Sequence, residues 1–183
     1  MDYAEEYRKI LKGGDYLRDG KFTTQNQFIV FDGGGAKPII NKLPMLVRLY
    51  GGNILDYGCG KGLHWHKKVI NGMNLPELLG ENLTGFRRYD PYHPLYCKKP
   101  NDKFDIVICT DVMEHIPIND VPDVLVDINN LCKSDGLVFF KISTKLSKNS
   151  FLDGTNMHVT LLSEYEWDEL IKKYITCEYD IFF

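Results

Sequence analysis

The sequence has 183 residues, of which 44% are hydrophobic and 26% are charged, a composition typical of a single globular domain and not of a disordered or fibrous chain. Its 22 basic and 25 acidic residues give a formal net charge of -3, so no overall positive charge attracts a nucleic acid backbone, and nucleic acid is disfavoured as a partner. No run approaches the roughly 20 apolar residues that cross a bilayer, and the acidic N-terminus lacks the apolar core of a secretion signal.

The five cysteines are odd in number and include no C-x-x-C pair. This usage fits a reducing compartment better than a disulfide framework. A chain of this length also buries enough surface to fold without disulfides. The sequence therefore predicts a cytoplasmic protein that is neither secreted nor membrane-spanning.

The first fifty residues predict helices and loops ahead of the core. Apolar residues spaced as on one helix face run over residues 2–12 and end at a pair of glycines. A turn-rich stretch with the apolar segment KFTTQNQFIVFD follows, and a second helix begins at Pro38 and runs to about Tyr50. The stretch up to Gly35 is rich in tyrosine and phenylalanine. We expect residues 1–50 to form an extension that covers a cofactor site, although plain packing over the sheet explains the aromatic residues at least as well.

Residues 51–183 alternate short apolar runs with helical stretches, which is the pattern of a parallel sheet with crossover helices. The predicted strands cover residues 53–57, 83–89, 104–109, 137–143 and 175–182. The predicted helices cover residues 62–71, 120–133 and 163–174. The last helix begins with a capping box from Ser163 to Glu166. The predicted fold class is therefore α/β, with an open, mostly parallel sheet that binds ligands at the carboxyl ends of its strands.

The first of these strands runs directly into a glycine-rich turn, ILDYGCGKG, from Ile54 to Gly62. Glycines without a Cβ let a flat, polar ligand approach the main-chain N–H groups beside the positive end of a following helix. A phosphate-binding P-loop would need G-x-x-x-x-G-K-[ST], which this spacing does not provide. The nicotinamide fingerprint G-x-G-x-x-G would need a glycine where the chain has Leu63. Neither phosphate-bearing cofactor fits this turn well.

The spacing D-x-G-x-G-x-G, from Asp56 to Gly62, resembles motif I of the class I S-adenosylmethionine-dependent methyltransferases, whose fold is Rossmann-like. FDIVICTDVMEHIP and DGLVFFKIS resemble that family's fourth strand with its loop and its fifth strand, so the resemblance covers about residues 50–180. Asp90 corresponds to the acidic residue that accepts hydrogen bonds from the ribose hydroxyls. The resemblance implies S-adenosylmethionine as cofactor and S-adenosylhomocysteine as product. The implied cofactor-binding residues are Asp56, Tyr57, Gly58, Cys59, Gly60, Asp90, Pro91, Thr110, Asp111 and Val112.

Two features depart from the pattern of that family. The stretch between Asp90 and Phe104 is too short for the usual helix and third strand, so we expect this edge of the sheet to be trimmed to a loop. The chain stops at Phe183, soon after the last predicted strand, which leaves no evident place for a seventh, antiparallel strand. A sheet this small is consistent with an oligomer.

Candidate catalytic residues follow the fourth and fifth strands. The run DVMEH resembles a stretch of small-molecule methyltransferases in which the histidine faces the acceptor, so we expect His115, together with His158, to act on the acceptor. An imidazole with a pKa of about 6.5 is a suitable base for a hydroxyl group. Asp111, Glu114 and His115 also resemble residues that surround a divalent cation in quinone-related O-methyltransferases. Solvated carboxylates at a helix start are the favoured explanation, and no metal is predicted.

The sequence thus predicts an S-adenosylmethionine-dependent methyltransferase that acts on an oxygen or nitrogen atom of a small-molecule acceptor. A cofactor-binding partner domain without catalysis is an alternative from another class. A nicotinamide-dependent oxidoreductase is a further alternative, disfavoured by Leu63.

Overall fold

A computed structural model describes residues 2–23, 37–66 and 72–183. Its helices are α1 (Tyr3–Leu11), α2 (Lys37–Ile40), α3 (Leu43–Tyr50), α4 (Leu75–Leu79), α5 (Val121–Leu131) and α6 (Glu164–Tyr174). Its strands are β1 (Tyr16–Arg18), β2 (Lys21–Thr23), β3 (Asn53–Tyr57), β4 (Gly85–Tyr89), β5 (Phe104–Thr110), β6 (Cys132–Lys141), β7 (Asn149–Ser150) and β8 (Glu178–Phe182). The predicted α/β fold of the Rossmann-like type is confirmed.

The main sheet has five strands in the order β4-β3-β5-β6-β8, and every neighbouring pair is parallel. Alternate residues of β5 show why its sequence is apolar throughout. Val107 packs with α5 and α6 on one face, whereas Ile106 and Ile108 pack with α2, α3 and α4 on the other. A central parallel strand is covered on both faces, so both of its side-chain rows are apolar.

The two edges of this sheet agree with the predicted trimming. Residues 91–103 form turns and loop between β4 and β5, so β4 is an edge strand. At the other edge, β8 pairs directly with β6, from Leu137 opposite Glu178 to Lys141 opposite Phe182. Within the described residues, this sheet contains no antiparallel strand.

Several predicted boundaries are corrected. The helix expected from Pro38 to Tyr50 is split into α2 and α3, because Pro44 starts a new helix in its first turn and cannot continue the previous one. The described part of the helix expected over 62–71 is a single 3-10 turn at Leu63–Trp65, and residues 67–71 lie outside the described residues. Most of the apolar segment between Thr23 and α2 also lies outside them.

A second, antiparallel sheet was not predicted. It has the order β2-β1-β7, with Leu17 opposite Ser150 and Arg18 opposite Asn149. Tyr7 and Ile10 of α1 pack against this sheet in a small core that includes Met157. The N-terminal segment is therefore attached to the connection between β6 and α6.

The helices of the described ranges are short, and α5 and α6 have 11 residues each. None of these helices is both long enough and apolar enough for a membrane crossing. The cytoplasmic compartment, an oligomer, the absence of nucleic acid partners and the boundary at residue 50 stay predictions.

Candidate functional site

A cavity of about 650 Å³ lies at the carboxyl ends of β3, β4, β5 and β6, under α1. Its size falls in the range of small-molecule sites. We call the part formed by residues 57–60, Asp90 and Pro91 the glycine-loop end. We call the part formed by His115, Lys141, Ser143, residues 147–149, residues 157–158 and the N-terminal segment the histidine end.

The structure brings nearly all the predicted site residues to this cavity. Its lining includes Tyr57, Gly58, Cys59, Gly60, Asp90, Pro91, Thr110, Asp111, Val112, His115 and His158. Asp56 is not part of the lining. Its side chain is 2% exposed and accepts a hydrogen bond of 2.8 Å from Nε1 of Trp65, which supports the loop from below.

The sequence predicts that main-chain N–H groups of the glycine loop face a ligand, but in the structure three of them donate hydrogen bonds within the chain. The N–H groups of Gly58 and Cys59 donate to the carbonyl oxygen of Tyr89 at 2.8 and 3.2 Å. The N–H of Gly60 donates to Oδ2 of Asp90 at 3.0 Å. A phosphate cradle needs free N–H donors, and these three already have acceptors. The loop is therefore shaped for close approach by a ligand without a phosphate at this point.

Gly58 shows why the loop needs glycine. Its φ is +70°, and a Cβ added there would lie 2.4 Å from Cγ2 of Val112. Real side chains do not approach that closely, and a residue with a side chain rarely adopts this φ. Gly58 and Val112 thus let the loops after β3 and β5 pack against each other on the floor of the cavity.

Asp90 links the loops after β3 and β4. Oδ2 accepts the Gly60 bond, and Oδ1 accepts a bond of 2.9 Å from the N–H of Tyr92. The side chain is buried, and burial raises the pKa of this carboxyl group, although the main-chain donors oppose that shift. Each carboxylate oxygen can accept more than one hydrogen bond, so Asp90 can still receive two ligand hydroxyls.

His115 lies at the opposite end and is held by α1 and by residue 157. Its Nδ1 is 2.7 Å from the hydroxyl oxygen of Tyr7 and 2.8 Å from the carbonyl oxygen of Met157, to which the Tyr7 hydroxyl donates at 2.9 Å. A carbonyl oxygen only accepts, so Nδ1 carries a proton and Nε2 carries the lone pair of the neutral ring. Burial lowers the pKa of His115 to about 4, with a smaller contribution from His158, so the ring is neutral near pH 7.

His158 stands beside His115 in the structure, and their action on an acceptor stays a prediction. The two ring centroids are 4.9 Å apart, with the rings nearly perpendicular. Nδ1 of His158 also contacts a carbonyl oxygen, that of Lys145, and a carbonyl oxygen only accepts, so Nδ1 of His158 carries a proton as well.

Glu114 corrects the expectation of a solvated carboxylate. It is fully buried, and its Oε1 accepts a bond of 3.0 Å from the N–H of Ser143. Within the described ranges Oε2 has no hydrogen-bond partner, and burial raises the pKa of Glu114 to about 7. Asp111 is instead bonded to Nζ of Lys141.

The residues that could hold a cation differ from Asp111, Glu114 and His115, the three that resemble a cation site in the sequence. Glu114, His115 and His158 each offer a ligand atom, and these atoms lie within 4.8 Å of one another. Carboxylate and imidazole ligands together suit a divalent transition metal. The prediction of no metal is untested by this geometry and stays a prediction.

Sequence reasoning missed several residues of the histidine end. Tyr7 was only an apolar position on a helix face, and Met157 acts through its main-chain carbonyl, which no side-chain pattern reports. Arg18 and Lys148 also line this end. No motif marks them, because they meet only through the pairing of β1 with β7.

Comparison with known proteins gives a family. The profile of a family described as "Methyltransferase domain" matches residues 35–174. A curated relative, the "Ubiquinone biosynthesis O-methyltransferase" of Glaesserella parasuis serovar 5 (strain SH0165), is 25% identical over 120 residues, which cover 55% of this chain and 49% of the relative. The chain thus spans about half the length of this relative. No solved structure matches the chain.

Proposed function

The chain belongs to the methyltransferase domain family, and on that premise we propose that it transfers a methyl group from S-adenosylmethionine to a hydroxyl oxygen of a small molecule. The observation that carries the proposal is one cavity with a buried carboxylate beside a glycine loop at one end and a neutral histidine at the other. The name of the relative, an O-methyltransferase, supports oxygen over the nitrogen that the sequence left open.

The residues of the glycine-loop end fit this cofactor. S-adenosylmethionine supplies a methyl group on a positively charged sulfur and has no phosphate. A loop whose N–H donors are already used, next to the Asp90 carboxylate, accepts such a molecule but would repel a pyrophosphate. Asp90 would accept the ribose hydroxyls, Gly58 would allow the nucleoside to approach the main chain, and Val112 would contact its apolar surface.

The histidine end performs the proton chemistry in this proposal. His115 is neutral, so its Nε2 can accept the proton that the hydroxyl group loses when it is methylated. Met157 and Tyr7 hold the ring at Nδ1 and prevent it from turning. Tyr7 and its neighbours on α1 also keep water out of the cavity, which favours transfer to the acceptor over reaction with solvent.

The cofactor is tested by calorimetry with S-adenosylmethionine, S-adenosylhomocysteine and NAD. We expect both adenosyl compounds to bind. Asp90→Ala should weaken their binding by about tenfold or more, because charged hydrogen bonds contribute roughly 1.5 to 3 kcal/mol. Asp102→Ala is the matched control, since that carboxylate is 71% exposed and forms only a 3.7 Å ion pair with Arg87. Binding of NAD alone would contradict the proposal.

The reaction is tested by release of S-adenosylhomocysteine with a panel of phenols, aliphatic alcohols and amines. Turnover with at least one hydroxyl compound is the expected result. Binding of the cofactor without turnover on any member would favour the alternative of a non-catalytic partner domain.

A further inference from the structure

We propose that the methyl acceptor carries a carboxylate and that Arg18 and Lys148 bind this carboxylate at the histidine end of the cavity. The inference rests on the proposed function, since it names the class of acceptor for the same site. It is carried by the placement of two cations, by the fact that neither forms an ion pair among the described residues, and by the apolar and aromatic residues of the same cavity.

The two cations come from distant parts of the sequence and meet in the small antiparallel sheet. Arg18 is the last residue of β1 and is opposite Asn149 of β7. Lys148 directly precedes β7, and its carbonyl oxygen accepts a bond of 2.8 Å from the N–H of Asp19. Arg18, Lys148 and Asn149 all line the cavity. Main-chain pairing thus holds both cations at one wall.

Among the cations of the histidine end, Arg18 and Lys148 are not paired with a carboxylate of the described residues. The third cation of the histidine end, Lys141, is bonded to Asp111. Within the described residues neither Arg18 nor Lys148 forms an ion pair. A guanidinium presents two parallel N–H donors that match a planar carboxylate, and a lysine adds a point charge.

A carboxylate fits this end better than a phosphate. The lining has three cations, Arg18, Lys141 and Lys148, against the four carboxyl groups of Asp90, Asp111, Glu114 and Asp120, so the cavity as a whole carries no net positive charge. A dianion would meet more repulsion from these groups than a monoanion would. Oδ1 of Asn149 is shielded from solvent and has no hydrogen-bond partner in the described ranges, so a hydroxyl or N–H of the same ligand would satisfy it.

The lining of the same cavity also has apolar and aromatic residues. They include Tyr3, Tyr7, Leu11, Ile116 and Met157. Such a lining suits the ring or hydrocarbon body of a small molecule. The acceptor would then lie with its carboxylate at Arg18 and its hydroxyl group at His115.

The cofactor also has a carboxylate, so the test must separate the two ligands. Connectivity favours the acceptor. Ser147 and Asn149 belong to the connection whose Lys145 carbonyl oxygen contacts Nδ1 of His158, whereas the glycine loop lies at the other end. The cations are therefore built into the wall that carries His158.

The experiment measures binding of hydroxybenzoates and short hydroxy acids, each paired with its neutral amide, by calorimetry with and without saturating S-adenosylhomocysteine. In the unmodified protein at least one carboxylate should bind about tenfold more tightly than its amide, as one charged hydrogen-bond pair predicts. Arg18→Gln and Lys148→Gln should each reduce that preference to less than about threefold. Lys145→Gln is the matched control, since it changes an exposed lysine of the same connection that is not part of the lining.

Three outcomes would overturn the inference. They are equal binding of acids and amides, no binding of any acid, and an unchanged preference in both glutamine variants. A tenfold loss of S-adenosylhomocysteine affinity in Arg18→Gln would also overturn it, because the cation would then serve the cofactor. Failure of the proposed function is distinct: the unmodified protein would not bind the adenosyl compounds, while the preference for acids would still be measurable without them.

Discussion

The two ends of the cavity differ in how completely their polar groups are used. At the glycine-loop end, the N–H groups of Gly58, Cys59 and Gly60 and both oxygens of Asp90 have partners within the chain. At the histidine end, Oε2 of Glu114 and Oδ1 of Asn149 are buried without partners among the described residues. A satisfied end is already rigid before a ligand arrives, whereas an unsatisfied end gains hydrogen bonds from its ligand. In the function proposed above, the satisfied end would be a fixed site for the nucleoside, and the unsatisfied end would be a site for the acceptor that binding completes.

The strongest test of this division is His115→Gln. We expect a loss of turnover of about 100-fold or more, since removal of a general base costs 10² to 10⁴. The affinity for S-adenosylhomocysteine should not change, because His115 belongs to the other end. Steady-state kinetics and calorimetry measure the two effects, with the exposed His66→Gln as control. A parallel loss of cofactor affinity would show that the ends are not independent.

The next largest effect concerns Glu114 and pH. Its pKa is raised from 4.5 to about 7 in the folded protein, so the native state holds a proton that the unfolded chain releases. The contribution of this group to stability is complete below pH 4.5 and is lost as the pH rises through 7. Glu114→Gln cannot titrate but still offers Oε1 to Ser143, so its free energy of unfolding should rise relative to that of the unmodified protein by up to roughly 3 kcal/mol over this range. Urea unfolding at several pH values measures the difference between the two free energies. A difference that does not vary with pH would contradict a raised pKa for this buried carboxyl group.

A smaller effect is expected for Gly58→Ala at the satisfied end. The added Cβ would meet Val112 at 2.4 Å, and the φ of +70° adds strain. Such strain costs about 1 to 3 kcal/mol, so cofactor affinity should fall roughly tenfold to 100-fold. Gly154→Ala is the matched control, because its φ is +90° but a Cβ there has no neighbour within 4 Å. Adding Val112→Ala should restore part of the affinity; if it restores none, the packing of the two loops is not the cause.

The smallest effect is expected for Tyr7→Phe. The variant keeps the ring but removes the hydroxyl that contacts Nδ1 of His115, while Met157 still accepts from that nitrogen. Losing this contact should lower kcat about fivefold, equivalent to a hydrogen bond of roughly 1 kcal/mol, with cofactor affinity unchanged. Tyr3→Phe, on the same helix and in the same cavity lining, is the control. Equal kcat values for the two variants would remove Tyr7 from the positioning of the base.

The same contrast explains what the sequence could predict. The glycine-loop end comes from the ends of two successive strands, so Asp56 to Gly62 and Asp90 form a readable spacing, and the continuous apolar run of β5 marks a central strand. Even there, the hydrogen bonds from the loop N–H groups to the carbonyl oxygen of Tyr89 depend on how closely β4 approaches β3. The spacing of residues in the sequence does not encode that distance. At the histidine end, β1 and β7 have three and two residues, too few for a periodic pattern.

Glu114 shows a further limit of the sequence. A carboxylate near the start of a short helical turn is normally solvated. The sequence alone does not show that the N–H of Ser143 donates to the Glu114 side chain and the N–H of Thr160 to its main-chain oxygen. Its burial depends on contacts between segments that are distant in the chain.

The pairing of β1 with β7 also determines the order in which the molecule can be completed during translation. The strands and loops of the glycine-loop end are all present once Val112 has been made. The wall around His115 needs Asn149 and Met157 to come back to Arg18 and Tyr7, which are made long before them. The wall around His115 is therefore the later of the two to be completed, because β1 can pair with β7 only after residue 150 has been translated.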